Sequence, residues 1–329
     1  MKLLDVYKMR IFLSFRTERI GGKMSKRIIV AGGTGFIGKK LGMELTASGY
    51  ELFILTRNKE QARKIFTNKI TPLEWDGKTS AGWEKYLDGA FAIINLAGEN
   101  IGAGRWNKKR KENILQSRLQ AGNAIVNAIS KAKNKPRVLL QASGIGIYGN
   151  RHDEILDEAS SIGSGFMPDL ARQWEQSANK AEKMGTRLVY LRTGVVLGEN
   201  ADFIKRVLLP FRLFIGGHLG SGKQWISWIH LHDEVSAIKF LLERNDLKGA
   251  FNLAAPTPLT YKAFFKTLGK VLNRPSWFHV PGFLLKILLG EMAEGLILSG
   301  QRAIPKKLLE AGFEFRYPEL EAALREILK

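Results

Sequence analysis

Residues 28–38 read Ile-Ile-Val-Ala-Gly-Gly-Thr-Gly-Phe-Ile-Gly, and their reading decides the fold. An apolar β-branched run at 28–30 ends in a glycine cluster, with Gly32, Gly35 and Gly38 at three-residue spacing. A helical pattern follows over 39–48. Strand, glycine turn and helix form the context a dinucleotide site requires. A glycine at the turn permits positive φ, the next lets the backbone approach a pyrophosphate, and Gly38 lets the helix pack against its strand. Thr34, Phe36 and Ile37 complete the loop and the first helical turn. The free N–H groups of that turn point at the phosphates.

Outward from this motif, strands and helices alternate. Strands are expected at 51–56, up to 73, at 90–96, 137–142 and 187–191, with helices over 59–66, 108–131 and 168–183. The run at 90–96 is wholly apolar, as in a buried parallel strand. This alternation predicts an α/β fold, a Rossmann-type doubly wound parallel sheet over 24–200, with part of 229–255 returning to it. Residues 201–329 are expected to form mainly a smaller mixed C-terminal domain for the substrate, set against the carboxyl ends of the strands. Within it, the apolar stretch 283–299 reads as a helix covering a core or a cleft. Residues 1–23 are expected to be a dispensable extension, since Met24-Ser25-Lys26 directly precedes the first strand.

An acidic residue about 20 positions past the glycines would hold an NAD ribose. Here the second strand ends Leu55-Thr56-Arg57-Asn58. Arg57 stands at the tip, and a guanidinium can hold a 2′-phosphate through two charge-assisted bonds. NADP is therefore expected in preference to NAD.

The chain has 329 residues, no cysteine and five histidines, of which His230 and His232 are the only close pair. Disulfides, a thiolate nucleophile and a cysteine zinc site are excluded, and no metal-ligand spacing occurs. That composition suits a cytoplasmic protein. The net charge of +20 gathers partly at 108–111 and at Lys306-Lys307. No stacking motif or recognition helix accompanies it, so a solvated basic surface is expected and nucleic acid is not. No apolar run is long enough to span a membrane.

The chemistry should sit where strands end. Leu96, Ala97 and Gly98 follow the 90–96 strand and would abut the cofactor, with Glu99 at the cleft mouth. Ser143 and Tyr148 follow the next strand, in Gln-Ala-Ser-Gly-Ile-Gly-Ile-Tyr-Gly (141–149). A serine can bond a substrate oxygen, and a phenol can exchange the proton lost as hydride moves. Trp106 follows a glycine-rich loop. Gln224, Trp225 and His230 fall in 220–233, where tryptophans could wall a ligand and His230 reads either as a base or as a structural residue. Asp233 reads as the N-cap of a helix.

These motifs resemble the short-chain dehydrogenase/reductase superfamily, extended branch. Asn-Leu-Ala-Gly-Glu-Asn-Ile (95–101), Arg105-Trp106, Ser117-Arg118, Trp174-Glu175, Gly-Ser-Gly-Lys-Gln-Trp-Ile-Ser-Trp-Ile-His (220–230), Asn-Leu-Ala-Ala-Pro (252–256) and Gly300-Gln-Arg302 resemble its atypical epimerase-family subgroup over about 26–325. The resemblance implies a Rossmann domain with NADP, a C-terminal substrate domain and, commonly, a homodimer. It also implies a Tyr-x-x-x-Lys dyad on the helix after the serine strand. Counting back from Trp174-Glu175, those slots hold Met167 and Ala171. Three readings stay open. One is an NADP-dependent oxidoreductase or epimerase with an altered acid–base set acting on a hydroxyl- or carbonyl-bearing small molecule, such as a sugar nucleotide. The others are a non-catalytic NADP sensor and a nucleic-acid-associated protein.

Overall fold

The structure, a computed structural model, describes residues 26–67 and 69–329; the extension expected over 1–23 lies outside the described residues. Seven parallel strands form the central sheet: β1 (Arg27–Ala31), β2 (Glu51–Thr56), β3 (Thr71–Glu74), β4 (Ala92–Asn95), β5 (Val138–Gly144), β6 (Arg187–Thr193) and β7 (Gly249–Leu253). Their order is 3-2-1-4-5-6-7. The direction of winding therefore reverses between β1 and β4, and ligands of such sheets bind at that crevice.

Strand alternation gives each face its own core. Ile28, Val30, Ile54 and Ile94 turn to one face, where Leu41 and Leu45 of α1 (Phe36–Ala47) meet them. Ile29, Ala31, Leu55 and Ile93 turn to the other, beneath Ala121, Ile125 and Ile129 of α2 (Lys108–Lys131). Burial of each such side chain contributes about 1.5–3 kcal/mol. Asn107 starts α2 by accepting the Arg110 N–H at 2.8 Å on its side-chain oxygen. After β5, the helix expected as one piece forms as α3 (Phe166–Gln176) and a short turn, Lys180–Lys183. A third core gathers Phe211, Trp228, Phe264, Leu268 and Leu324 from the C-terminal elements.

Two expectations are corrected. The apolar stretch 283–299 is interrupted at Gly290, whose φ of 62° halts helix Gly282–Leu289 before a short turn and a π-helical Glu294–Leu298. Asp233 caps no helix. Helix α4 (Leu231–Glu243) is capped by His230, which accepts the His232 N–H at 3.1 Å. The Asp233 carboxylate is buried and takes the Arg316 and Tyr317 N–H groups at 2.9 Å each.

Beside Asp233, Glu234 is buried against the end of β6. Thr193 donates to one carboxyl oxygen at 2.9 Å, and the other has no partner. Burial pushes this carboxyl up to about 8 from an ordinary 4.5. The folded chain thus keeps a proton that the unfolded chain releases, so this contribution is complete at low pH and is lost as pH rises toward 8. Glu234→Gln should flatten the fall in melting temperature between about pH 5 and 8, with the largest gain at the alkaline end. Parallel pH profiles for the two proteins would show that Glu234 is ionised in the fold.

Candidate functional site

The turns leaving β1 and β4 meet main chain to main chain. Gly32 has φ 75°, and a Cβ there would lie 2.7 Å from the Leu96 carbonyl carbon and oxygen. The Leu96 N–H donates to the Ala31 carbonyl at 2.9 Å. A Cβ on Gly38 would lie 2.4 Å from the Gly32 oxygen, which seats α1 tightly on the turn. Gly35 caps α1 with φ −75°, with no side-chain cap and no acidic residue in the first turn. A Cβ on Gly35 would meet only the Gly32 oxygen, at 3.2 Å. The space before the helix end is therefore open, and its bare N–H groups and positive dipole suit a phosphate. Thr34, Phe36 and Ile37 are half-buried around it, with Ile37 packed on the sheet core.

At the β4 side, a buried amide pair fixes the strand end. Asn95 donates to Gln141 at 2.9 Å and accepts the Ala97 N–H at 3.1 Å. Leu96 and Ala97 are half-buried and Gly98 is exposed. Arg57 is exposed at the end of β2, on the rim of a cleft of about 590 Å³ that Trp75, Thr79 and Trp83 also border. Its neighbour Lys59 is paired with Glu74 at 3.0 Å.

Ser143 and Tyr148 are buried, and their hydroxyls are taken up within the protein. Strand alternation turns Ser143 onto α3, where its hydroxyl donates to Glu175 at 2.8 Å. The next residue is Gly144, whose absent Cβ would meet nothing nearer than 3.7 Å. Tyr148 is 0% exposed. Its hydroxyl donates to Asn252 at 2.7 Å and accepts from Arg192 at 3.1 Å. Arg192 holds Glu175 at 2.8 and 3.1 Å. Burial works against the Arg192 charge, but the bonded Glu175 carboxylate outweighs it and raises the pKa. Burial likewise raises the Tyr148 phenol, against the pull of Arg192. Both residues read from the sequence as reactive thus belong to one buried network, and a phenol pushed up and bonded twice is poorly placed to exchange protons.

A second cleft, of about 310 Å³, lies between α3 and the Gly290 region. Trp106, Asn150, Met167, Glu291, Glu294 and Gln301 border it. Trp106 is anchored by its indole N–H on the Ile101 carbonyl at 2.9 Å and packs edge-on against Phe166. Met167, in the tyrosine slot, thus faces this cleft, whereas Ala171, in the lysine slot, is buried beside Ile147 and Tyr148. Glu99 is ion-paired with Arg110. Gln224 ties the Leu219 and Ile297 carbonyls at 2.8 and 3.0 Å. Trp225 donates to Asp153 at 2.8 Å, with Arg302 over its ring at 4.3 Å. His230 bonds Glu326 at 2.9 Å and packs, tilted by 42°, against the Tyr317 ring; burial lowers its pKa despite that carboxylate. Gln224, Trp225 and His230 are structural ties outside the cleft border.

Arg118 went unselected by sequence reasoning, although it stands in a quoted motif. It is 7% exposed and reaches under Gly98 from α2. One nitrogen makes both of its hydrogen bonds, to the Ile114 and Glu99 carbonyls, and Nε has no acceptor. Its guanidinium lies 4.6 Å from the Trp174 ring centre. Burial brings its pKa down to about 10, against the nearby Glu99.

The model of the NAD dependent epimerase/dehydratase family matches residues 28–254. The chain belongs to that family. A domain of unknown function, DUF1731, matches 280–327. Epimerase family protein YfhF of Bacillus subtilis is 40% identical over 302 residues, 92% of this chain and 97% of its own. The chloroplastic SDR39U1 homolog of Arabidopsis thaliana is 39% identical over 92% of this chain and 86% of its own. The crystal structure of the human epimerase family protein SDR39U1 with NADPH superposes with a TM-score of 0.82 at 34% identity, covering 92% of this chain and 98% of that one. UDP-glucose 4-epimerase of Thermotoga maritima, at 16% identity and TM-score 0.74, shares the fold. The expected placement in the extended short-chain dehydrogenase/reductase superfamily is thereby borne out.

Within this member of the family, the Ser143–Glu175–Arg192–Tyr148 network should act on stability. Tyr148→Phe strands Asn252 and Arg192 and should cost about 1–3 kcal/mol. Glu175→Gln uncovers a buried guanidinium and should cost about 3–5 kcal/mol. Urea titrations measure both. Loss of turnover in a Tyr148→Phe protein of unaltered stability would return Tyr148 to the chemistry.

Proposed function

We propose that this protein binds NADP(H) across the β1–β4 crevice and acts as an oxidoreductase or epimerase on a small hydroxyl- or carbonyl-bearing molecule. The observation that carries the reading is the open space before Gly35, faced by an uncapped helix end and by the β4 turn. Gly32, Thr34, Gly35, Phe36, Ile37 and Gly38 would hold the pyrophosphate, with Leu96, Ala97 and Gly98 along its other side. Arg57 would hold the 2′-phosphate, since the end of β2 offers a free cation and no carboxylate. That a human relative was crystallised with NADPH supports the same choice.

A bound nicotinamide would supply or accept a hydride. The substrate, a sugar nucleotide among the candidates, would occupy the cleft beside Trp106 and Met167. Ser143 and Tyr148 hold the frame of that cleft. The carboxylates that border it are Glu291, bonded to Lys111 at 2.8 Å, and Glu294, bonded to Lys286 at 2.6 Å. The protein would work in the cytoplasm. Among the described residues no helix is long and apolar enough to cross a membrane.

The vacant dyad also favours a second reading, a sensor that binds NADPH without turnover. Transfer of deuterium from labelled NADPH to a product supports catalysis, and binding without transfer supports the sensor.

Gly35→Val puts a branched side chain into the open space at an ordinary φ, so the protein should fold and lose NADPH binding, read by cofactor fluorescence. Unaltered affinity would remove the site. Arg57→Glu should weaken NADPH by about 10- to 100-fold, the worth of a charged hydrogen bond, and leave NADH unchanged. An unaltered NADPH/NADH ratio would place the 2′-phosphate elsewhere.

A further inference from the structure

Helix Gly282–Leu289 covers no cleft on its outer side. Phe283, Leu284, Ile287 and Leu288 are exposed, and only Leu285 is buried. Just before it, Trp277 and Phe278 are exposed at 66% and 40%. Leu209, Leu213, Phe214 and Ile215 are exposed at the end of helix Asp202–Arg212. These three segments adjoin. The Trp277 indole donates to the Phe214 carbonyl at 3.1 Å, and the Phe278 N–H to Gly216 at 3.1 Å. Strand Phe278–Val280 pairs with Gly217–Leu219 and runs straight into the helix through Pro281. Ten of the fourteen large apolar side chains exposed among the described residues lie on this one surface. Apolar surface concentrated in this way marks a docking face.

The charge around the patch names the partner. Residues 203–232 and 256–290 carry nine lysines and arginines and no carboxylate, with Asp202, Asp233 and Glu291 flanking them. All nine are exposed, and two of them are ion-paired, Lys270 with Glu321 and Lys286 with Glu294. Arg274 lies 4.3 Å over the Phe214 ring, with Arg212 two residues from that ring in sequence. We propose that this face docks on the surface of an anionic lipid membrane. Aromatic and aliphatic side chains enter the headgroup–acyl boundary while the surrounding cations meet lipid phosphates. A second copy of the chain fits less well, because a two-fold contact through this face would set cation against cation. A polyanion such as nucleic acid would satisfy the cations and leave the aromatic and aliphatic groups in water.

The full chain is mixed with vesicles of phosphatidylcholine alone and of phosphatidylcholine with phosphatidylglycerol, and bound protein is measured by sedimentation. Binding is expected to the anionic vesicles and to weaken as salt rises. Two double variants, Phe283→Ser with Ile287→Ser and Arg212→Glu with Arg274→Glu, alter exposed side chains only. Each should lower the partition coefficient by about tenfold or more while the melting temperature holds. Failure of the parent protein to bind anionic vesicles at low salt overturns the proposal. So does binding that the serine variant leaves intact, since attraction between charges would then suffice. A concentration-dependent dimer that the serine variant abolishes, without vesicle binding, would assign the face to a second copy.

Discussion

Between β1 and β4 the two turns that shape the crevice touch through main chain alone, with the absent Cβ of Gly32 standing 2.7 Å from the Leu96 carbonyl. A side chain at Gly32 would part them. Because they close directly, the Ala31 carbonyl can accept the Leu96 N–H, and α1 can seat Gly38 against the same turn. The placement of the helix end, the order of the strands and the open space before Gly35 all depend on that contact. An anion-binding end is produced here by removing atoms rather than by adding charged groups.

On the far side of β5 the design is opposite. The Glu175–Arg192 pair is charged, buried and fully bonded, with Ser143, Tyr148 and Asn252 as satellites. Taking two charges out of water is costly, so such pairs contribute little net stability and much geometric definition. This one joins α3, the end of β5, β6 and β7. Asn252 extends the chain of bonds to the Ile304 carbonyl, and Gln301 reaches Gly149 at 3.0 Å. The C-terminal segment that borders the second cleft is therefore tied to the sheet through the residues that sequence reasoning placed in the reaction.

That Ser143 and Tyr148 are bonded inward was not legible in the sequence, for a physical reason. Position after a strand end was legible, but the direction of a side chain was not, because one residue of register separates the Ser143 face from the Gly144 face. Glycine spacing, the β-branched runs and Asn107 ahead of α2 act locally, and those elements were read closely; α2 spans 108–131 as expected. The cap role of Asp233 was misread, and the two roles open to His230 could not be separated, for the reverse reason. Their partners, Arg316, Tyr317 and Glu326, come from a distant part of the chain. The stretch 283–299 reads as covering a core or a cleft; its second half does border the second cleft, with Met292 and Ala293 buried, whereas Phe283, Leu284, Ile287 and Leu288 face outward, a division set by the break at Gly290 and the tertiary arrangement.

One consequence of the topology concerns how the chain can be assembled. The strand that completes the sheet, β7, begins at Gly249, after more than fifty residues of C-terminal elements have intervened since β6 ended at Thr193. A nascent chain that has delivered six strands still exposes the full hydrogen-bonding edge of β6, apolar at Leu188, Val189 and Leu191. Such an edge recruits other strands. Closure must wait for a segment that packs around Phe211 and Trp228 in between. A chain cut near residue 200 would leave that edge of the sheet unpaired.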